Sequence, residues 1–228
     1  HDALPISTGY RTPALLPIAS WRSVGNSYNG FFMECFMDEL AAAAGKDPVE
    51  YRMSLLADKP RHQNVLKAAA DKAGYKKGAA KGRAFGVALM DGYDTYLAVI
   101  SEISLGADGE VRVHKVTAAA DLGVVVNPEI VEQQIQSSII MGMGTALKHS
   151  ITVEGGRVQQ TNFNTYPLVR TNETPEIIIS QLKSAEKPGG IGEPFCAAIV
   201  PALANAVAKL TGKRIRQLPL TGKAIQEA

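Results

Sequence analysis

The residues best placed to do chemistry stand in "GGIGEPFCAA", where Glu193 lies between a glycine-rich turn and an alanine-rich apolar run, with Cys196 three residues on. Glutamate is almost never fully buried without a partner, and the run from Phe195 to Leu210 reads as core, so something must compensate the charge. The simplest compensation is a helix start, whose free N–H groups and macrodipole favour an anion. Cys196 could act as a nucleophile, but no histidine is close in sequence to activate it, and an inert core thiol is the better reading. The two cysteines and the four histidines, His1, His62, His114 and His149, share no metal-ligand spacing, so no residue is assigned as a metal ligand. There is no phosphate-cradling GxxxxGK[ST] motif and no nucleophile-elbow serine. "GYDTYL" and "GMGTAL" lack the third glycine and the strand context of a dinucleotide fingerprint.

Ordinary globular material must hold these groups. The chain has 228 residues, 46% hydrophobic and 20% charged, and its net charge of +2 comes from 24 basic against 22 acidic residues. That balance demands neither nucleic acid nor an anionic membrane. The one basic cluster, "GKRIR" at Gly212–Arg216, follows an apolar helix and reads as a solvated helix end. No apolar stretch is expected to reach the eighteen or so residues of a membrane span. Two cysteines leave the redox compartment open.

The opening His1–Ser7, "HDALPIS", has no helix or strand period and matches the in-frame translation of a common sequencing-library adapter. It is expected to be non-native and is set aside. Thr8–Tyr28 reads as irregular, broken by Pro13 and Pro17. "NGFFMECFMDELAAAAG" has helical spacing in Phe32, Phe36, Leu40 and Ala43, with Glu34, Asp38 and Glu39 as a solvated face and Gly45 as the stop. "DPVEYRMSLL" opens a second helix with Asp47 as N-cap, Pro48 at the first position and Glu50 three residues after the cap. A third runs from about Gln63 to Ala73.

Beyond the basic linker "KKGAAKGR" the texture changes to strands: "AFGVALM", "TYLAVISEISL" and "VRVHKVTAAA", the last two joined by a "GADGE" turn. His114 lies in the third of these as a packed or exposed side chain. A helix from Pro128, capped by Asn127, follows, and its Gly142 and Gly144 require close packing to be tolerated. "ITVEGGRVQQ" is a hairpin, "EIIISQL" a strand, and the last long helix begins at about Ala198 or Pro201 and ends at Gly212. Helices and strands do not strictly alternate, so the fold class is α+β. The organisation expected is 1–7 adapter-derived, 8–80 a loop and helical segment, and 81–228 an α+β segment carrying the "GEP" motif.

Four stretches, "WRSVGNSYNGFFMECFMDELAAAAGKDPVEYR", "ADLGVVVNPEIVEQQI", "TNFNTYPLVRTNETPEI" and "GGIGEPFCAAIVPALANAVAKLTGKRIRQLPL", together resemble the C-terminal part of the molybdopterin-binding large subunit of molybdenum hydroxylases. The isoquinoline 1-oxidoreductase β-subunit type, among xanthine dehydrogenase and aldehyde oxidase relatives, is the nearest in pattern. The likeness runs from about Thr12 to Leu220 in matching order. It implies a molybdenum–molybdopterin cofactor in the cytosine dinucleotide form, and hydroxylation of an aldehyde or N-heteroaromatic carbon with water-derived oxygen. Electrons would pass to iron–sulfur clusters on a small two-cluster [2Fe–2S] partner subunit, since this chain lacks the cysteines for clusters. No nucleic acid partner and no membrane span are implied, and a periplasmic address is common among such relatives.

By the same resemblance Glu193 matches the catalytic base. A carboxylate is ionised at neutral pH and can take the proton of a water activated at a metal. Arg22 matches the arginine of an R-x-x-G loop near the molybdenum, against the local reading of a surface arginine. Gln134 matches a pterin-contacting glutamine of a Q-x-E-G helix, and Gly192 belongs to the cofactor-facing turn. The chain departs from the pattern at "QIQSS", with Gln136 and Ser137 in place of Glu and Gly, and at "GEPFCAA". Those departures leave a second reading open, a noncatalytic relative acting as a subunit-interaction scaffold. Asp121, Asn127 and Asn162 read as turn and cap formers. The likeness also implies that this chain alone is inactive, because upstream cofactor-binding segments are outside it.

Overall fold

In the computed structural model residues 19–228 are described. They form α1 (Gly25–Ala43), α2 (Pro48–Ser54), α3 (Pro60–Ala73), β1 (Ala84–Gly92), β2 (Thr95–Leu105), β3 (Val111–Asp121), α4 (Pro128–Leu147), the short pair β4 (Val153–Glu154) and β5 (Arg157–Val158), β6 (Glu176–Gln181), α5 (Pro194–Thr211) and α6 (Gly222–Glu227). The adapter-like His1–Ser7 and the prolines Pro13 and Pro17 lie outside the described residues. Within them the irregular stretch ends earlier than expected, since α1 already covers Gly25–Tyr28.

One sheet of order β1-β2-β3-β6 organises the chain. The first three strands are antiparallel neighbours, whereas β6 runs parallel to β3 from Lys115↔Glu176 to Ala120↔Gln181. A parallel pair needs a crossover, and α4 with the segment after it supplies one. Both faces of the sheet are covered. Successive β2 side chains point to opposite faces, so Leu97, Val99 and Ile103 join the core beneath α5 while Ala98 and Ile100 pack with Val65, Leu66 and Ala69 of α3. This two-sided burial explains why "TYLAVISEISL" reads as a near-continuous apolar run. The helices α1 and α3, from the 8–80 segment, pack on α5 and on the sheet respectively.

Local chemistry sets the element ends. Asp47 Oδ1 accepts from the Val49 and Glu50 amides, and Asn127 Oδ1 accepts from Ile130 N, as the two caps require. Gly74 closes α3 in a left-handed conformation. The central helix α5 begins at Pro194, four to seven residues before the expected start, because a proline suits the first helical position and the apolar run continues through Pro201. Over Pro194–Thr211 it is long and apolar enough to cross a membrane, contrary to expectation, but 83% of it is buried within this fold. It is the core helix here.

The reading of α1 is reversed. Phe32 and Phe36 are 60% and 55% exposed, while Glu34 and Asp38 are only 7% and 6% exposed. The buried carboxylates are compensated by residues distant in sequence. Arg52 of α2 donates to Glu34 Oε2 and O at 3.1 Å, and Arg214 donates to Asp38 Oδ2 at 2.7 Å. The Leu89 amide also donates to Glu34, at 2.7 Å. Burial raises the Glu34 carboxyl despite Arg52. The "GKRIR" segment is accordingly not a free solvated end: Lys213 donates to the Gln226 carbonyl, Arg214 holds Asp38 and Arg216 forks onto Glu39.

Candidate functional site

Where α5 begins, Pro194 fixes the first helical residue and Glu193 stands at the cap position, yet its side chain makes no capping bond. The expected local compensation is therefore incomplete. The Glu193 Oε1 atom instead lies 3.3 Å from the Ser23 amide, which belongs to the segment entering α1. The main chain of Glu193 is held more firmly: its carbonyl accepts from Ser23 Oγ at 2.6 Å and from Ser138 Oγ at 3.0 Å. Ser138 Oγ also accepts from Cys196 N at 2.8 Å, which binds α4 to the first turn of α5.

The four predicted site residues come together. Arg22 Nε donates to the Gly192 carbonyl at 2.7 Å, and its two terminal nitrogens donate to Ser137 Oγ at 3.0 Å and Gln134 Oε1 at 3.3 Å. Gln134, Ser137 and Ser138 are spaced i, i+3, i+4 and so share one face of α4. The departure at Ser137 thus supplies a hydroxyl that Arg22 uses. The planar fork of arginine suits this three-way bridge, which a lysine could not reproduce.

Glycines let the parts approach. A Cβ on Gly142 of α4 would come within 2.5 Å of the Cys196 carbonyl, so the expected close packing is present. On the other side of Glu193 the β1–β2 turn grips the glycine-rich loop. Gly190 N donates to Tyr93 O at 2.7 Å, and Thr95 Oγ1 donates to Gly190 O at 2.7 Å. The Gly189 amide reaches Leu122 O at 2.7 Å.

Backbone strain concentrates at the same place. Among the described residues the non-glycine positions with positive φ are Ser23 (81°), Val24 (46°), Tyr93 (57°) and Asp94 (59°). All four lie in the two segments that flank Glu193. Left-handed backbone costs about 1–3 kcal/mol at such residues and persists only where the surroundings impose it. Sequence reasoning missed Ser23, Ser138 and Tyr93. "WRSVG" and "GYDTYL" carry no glycine at the left-handed positions, so neither declared its conformation.

The remaining titratable groups behave as structural ones. Burial pushes the Cys196 thiol up to about 11 and the Cys35 thiol up to about 12. Both thiols are free and buried. His114 Nε2 lies 2.8 Å from Ser104 Oγ within the sheet. Arg61 forks onto Asp121 with both bonds at 2.7 Å and holds its carboxyl below the usual range. Among the described residues no three His, Cys, Asp or Glu side chains cluster as a metal site.

The site does offer donors for an oxygen-rich group. The Ile191, Gly192 and Glu193 amides and the Gln134 side-chain NH2 have no acceptor among the described residues. With Arg22 they form a cationic, donor-rich rim around Glu193, and that donor set fits a molybdopterin. Beside the rim lies a groove of about 430 Å³ lined by Trp21, Tyr28, Phe31, Phe32, Cys196 and Val200.

Residues 33–175 match the molybdopterin cofactor-binding domain family. The beta subunit of isoquinoline 1-oxidoreductase from Brevundimonas diminuta is 30% identical over 92% of this chain and 28% of its own length. A nicotinate dehydrogenase subunit of Pseudomonas putida is 34% identical, covering all of this chain and 21% of the relative. The chain therefore spans about a quarter of the curated relatives it matches. Among solved structures, the aldehyde oxidoreductase of Desulfovibrio gigas aligns with a TM-score of 0.77 at 14% identity, over 92% of this chain and 41% of that one.

Proposed function

This chain belongs to the molybdopterin cofactor-binding domain family, and on that premise we propose that it presents Glu193 as the proton acceptor of a molybdenum-dependent hydroxylase. The supporting observation is a carboxylate that leaves its own helix uncapped and reaches instead to the Ser23 amide, beside the Arg22 bonds to Gly192 and Gln134. When bound, the cofactor supplies Lewis acidity toward water and accepts the two electrons of substrate oxidation. The balanced reaction replaces a substrate C–H by C–OH with the oxygen of water, releasing two protons and two electrons.

Each residue has a separate task. Arg22 and the Gln134 amide bind oxygens of the cofactor, and the free amides of the Ile191–Glu193 turn add donors without bulk. Glu193 takes the water proton onto its carboxylate, whose approach direction is fixed by Ser23 and Ser138 at the main chain. The substrate class is an aldehyde or an N-heteroaromatic ring. The isoquinoline and nicotinate relatives support the second, as does an apolar groove of aromatic side chains next to the rim. The resemblance implies an electron exit through a small two-cluster [2Fe–2S] partner subunit, and that route is part of the same proposal. The cytosine dinucleotide form of the cofactor is part of the same proposal.

The test is Glu193→Gln in the full-length protein purified with its partner. Molybdenum and pterin content should match the wild type while kcat falls roughly 10²–10⁴-fold, the range for loss of a general base. A kcat within a few-fold of wild type at unchanged molybdenum content would overturn the assignment.

A further inference from the structure

We propose that Arg61 is a positioning residue for Glu193, clamping together the two pieces of the sheet that hold the loop on which the base stands. This deepens the reading of Glu193 as proton acceptor and rests on it. Between the end of β6 at Gln181 and the start of α5 at Pro194 the chain has neither helix nor strand, so its path is set by whatever binds it. The exit of β3 binds one side. Leu182 N donates to Ala120 O at 2.8 Å, Val124 N to Glu186 O at 3.0 Å and Gly189 N to Leu122 O at 2.7 Å. The β1–β2 hairpin binds the other, where the Tyr93 carbonyl and the Thr95 hydroxyl both hold Gly190 at 2.7 Å.

Arg61 touches both pieces. Tyr96 and Asp121 are cross-strand partners at the end of the β2–β3 ladder. The Arg61 guanidinium forks onto the Asp121 carboxylate with both bonds at 2.7 Å, reaches the Asp121 carbonyl at 3.3 Å and lies 4.1 Å from the centre of the Tyr96 ring. Asp121 stands between the anchors Ala120 and Leu122, and its Oδ1 also accepts from Gly123 N at 3.2 Å. Gly123 has a φ of 75°, and a Cβ there would lie 2.1 Å from the Lys187 carbonyl, so the turn seats the loop with no space to spare. On the hairpin side Tyr96 directly follows Thr95. Helix chemistry alone does not call for this arginine. It follows Pro60 in the first turn of α3, which contains no acidic residue and where the macrodipole disfavours a cation. The bidentate fork onto Asp121 offsets that cost.

Hydrogen exchange in the full-length protein with its partner tests the clamp without turnover. Arg61→Met keeps a stem to pack on Tyr96 and removes the fork. Amides within 182–193 should then exchange roughly tenfold or more faster, the effect of losing one charge-assisted hydrogen bond, while β2 exchanges as in wild type. Arg61→Lys keeps the charge but neither the fork nor the stacked plane, and should fall between the two. At matched molybdenum content the kcat of Arg61→Met should drop roughly 10–10²-fold, the loss expected when a reacting group is held about 1 Å out of place.

Unchanged exchange over 182–193 in both variants would overturn the clamp. A rise shared equally by β2 would also overturn it, because Arg61 would then stabilise the whole fold and not this loop. Should Arg61→Met fail to fold, Arg61→Lys carries both readouts. If Glu193→Gln is inactive but the Arg61 variants turn over as wild type with a loosened loop, the positioning role falls and the base assignment stands. If Glu193→Gln itself retains turnover, the base assignment falls and the positioning role with it, whatever the exchange shows.

Discussion

Ser23 touches Glu193 twice, with its amide 3.3 Å from the carboxylate Oε1 and its hydroxyl donating at 2.6 Å to the carbonyl. A residue 170 positions away in sequence thus holds both the charged end and the main chain of the proposed base. The Ser138 hydroxyl, from α4, donates to that same carbonyl. Two separate segments therefore converge on one residue, and the arrangement has measurable consequences.

Ser23→Ala and Ser138→Ala should each lower stability by about 1 kcal/mol, the net worth of a hydrogen bond. Because both hydroxyls serve one acceptor, the double variant should lose less or more than the sum, not the sum itself. Denaturant unfolding of the full-length protein and its two single and one double variants measures the coupling. Simple additivity would mean that the Glu193 carbonyl is not a shared acceptor.

The reversed face of α1 predicts an unusual pair of outcomes. Removing the Glu34 carboxylate, as in Glu34→Leu, leaves the buried Arg52 guanidinium only the more distant Asp38 carboxylate, 3.9 Å away, and should cost about 3 kcal/mol. Phe32→Ser removes a large aromatic group, yet its effect on the stability of this fold should stay within about 0.5 kcal/mol because the ring is exposed. Thermal unfolding of the two variants decides the matter. The opposite ranking would restore the amphipathic reading.

These two regions show what the sequence could and could not disclose. Asp47 with Pro48 and Asn127 with Pro128 declared two helix starts, because caps act over three residues and need no tertiary partner. The strand runs were readable because both sheet faces are buried. The orientation of α1 was not, since nothing within the helix reveals that Arg52 and Arg214 would neutralise its acids. The site divides in the same way. Glu193, Arg22, Gln134 and Gly192 stand in motifs with a known pattern. Ser23 and Tyr93 take left-handed backbone only because the folded loop forces them to.

Gly142 tests how closely α4 and α5 must approach. Alanine in a helix interior is favoured over glycine by about 1 kcal/mol. Here a methyl group would meet the Cys196 carbonyl at 2.5 Å and the Ile199 side chain closer still. Overpacking of that kind costs about 1–3 kcal/mol or more, so Gly142→Ala should be net destabilising. Since α4 carries Gln134, Ser137 and Ser138, the same variant should retain less molybdopterin after purification. A stabilised variant with full cofactor content would show that the helices have room to spare.

His149 predicts a dependence on pH. Its ring stacks on Tyr166 with centroids 4.5 Å apart and meets the edge of Trp21 at 6.1 Å, and neither ring nitrogen has a partner among the described residues. Burial, and next the Lys148 charge, hold its pKa below the ordinary value. In the unfolded chain histidine titrates near pH ~6.5. The unfolded state therefore binds a proton that the folded state resists, and stability is lost as pH falls through about that value. His114 shifts in the same direction, through burial and the charges of Arg83 and Arg112, and contributes a parallel loss. His149→Phe keeps the aromatic stack and removes only the titrating group. The unfolding midpoint of wild type minus that of His149→Phe should be constant above about pH 7 and fall below about pH 6.5. Because Trp21 also donates to Thr145 and immediately precedes Arg22, charging His149 presses on the segment that orients the rim. A difference that stays flat down to about pH 5 would mean that His149 finds a proton acceptor in the folded protein.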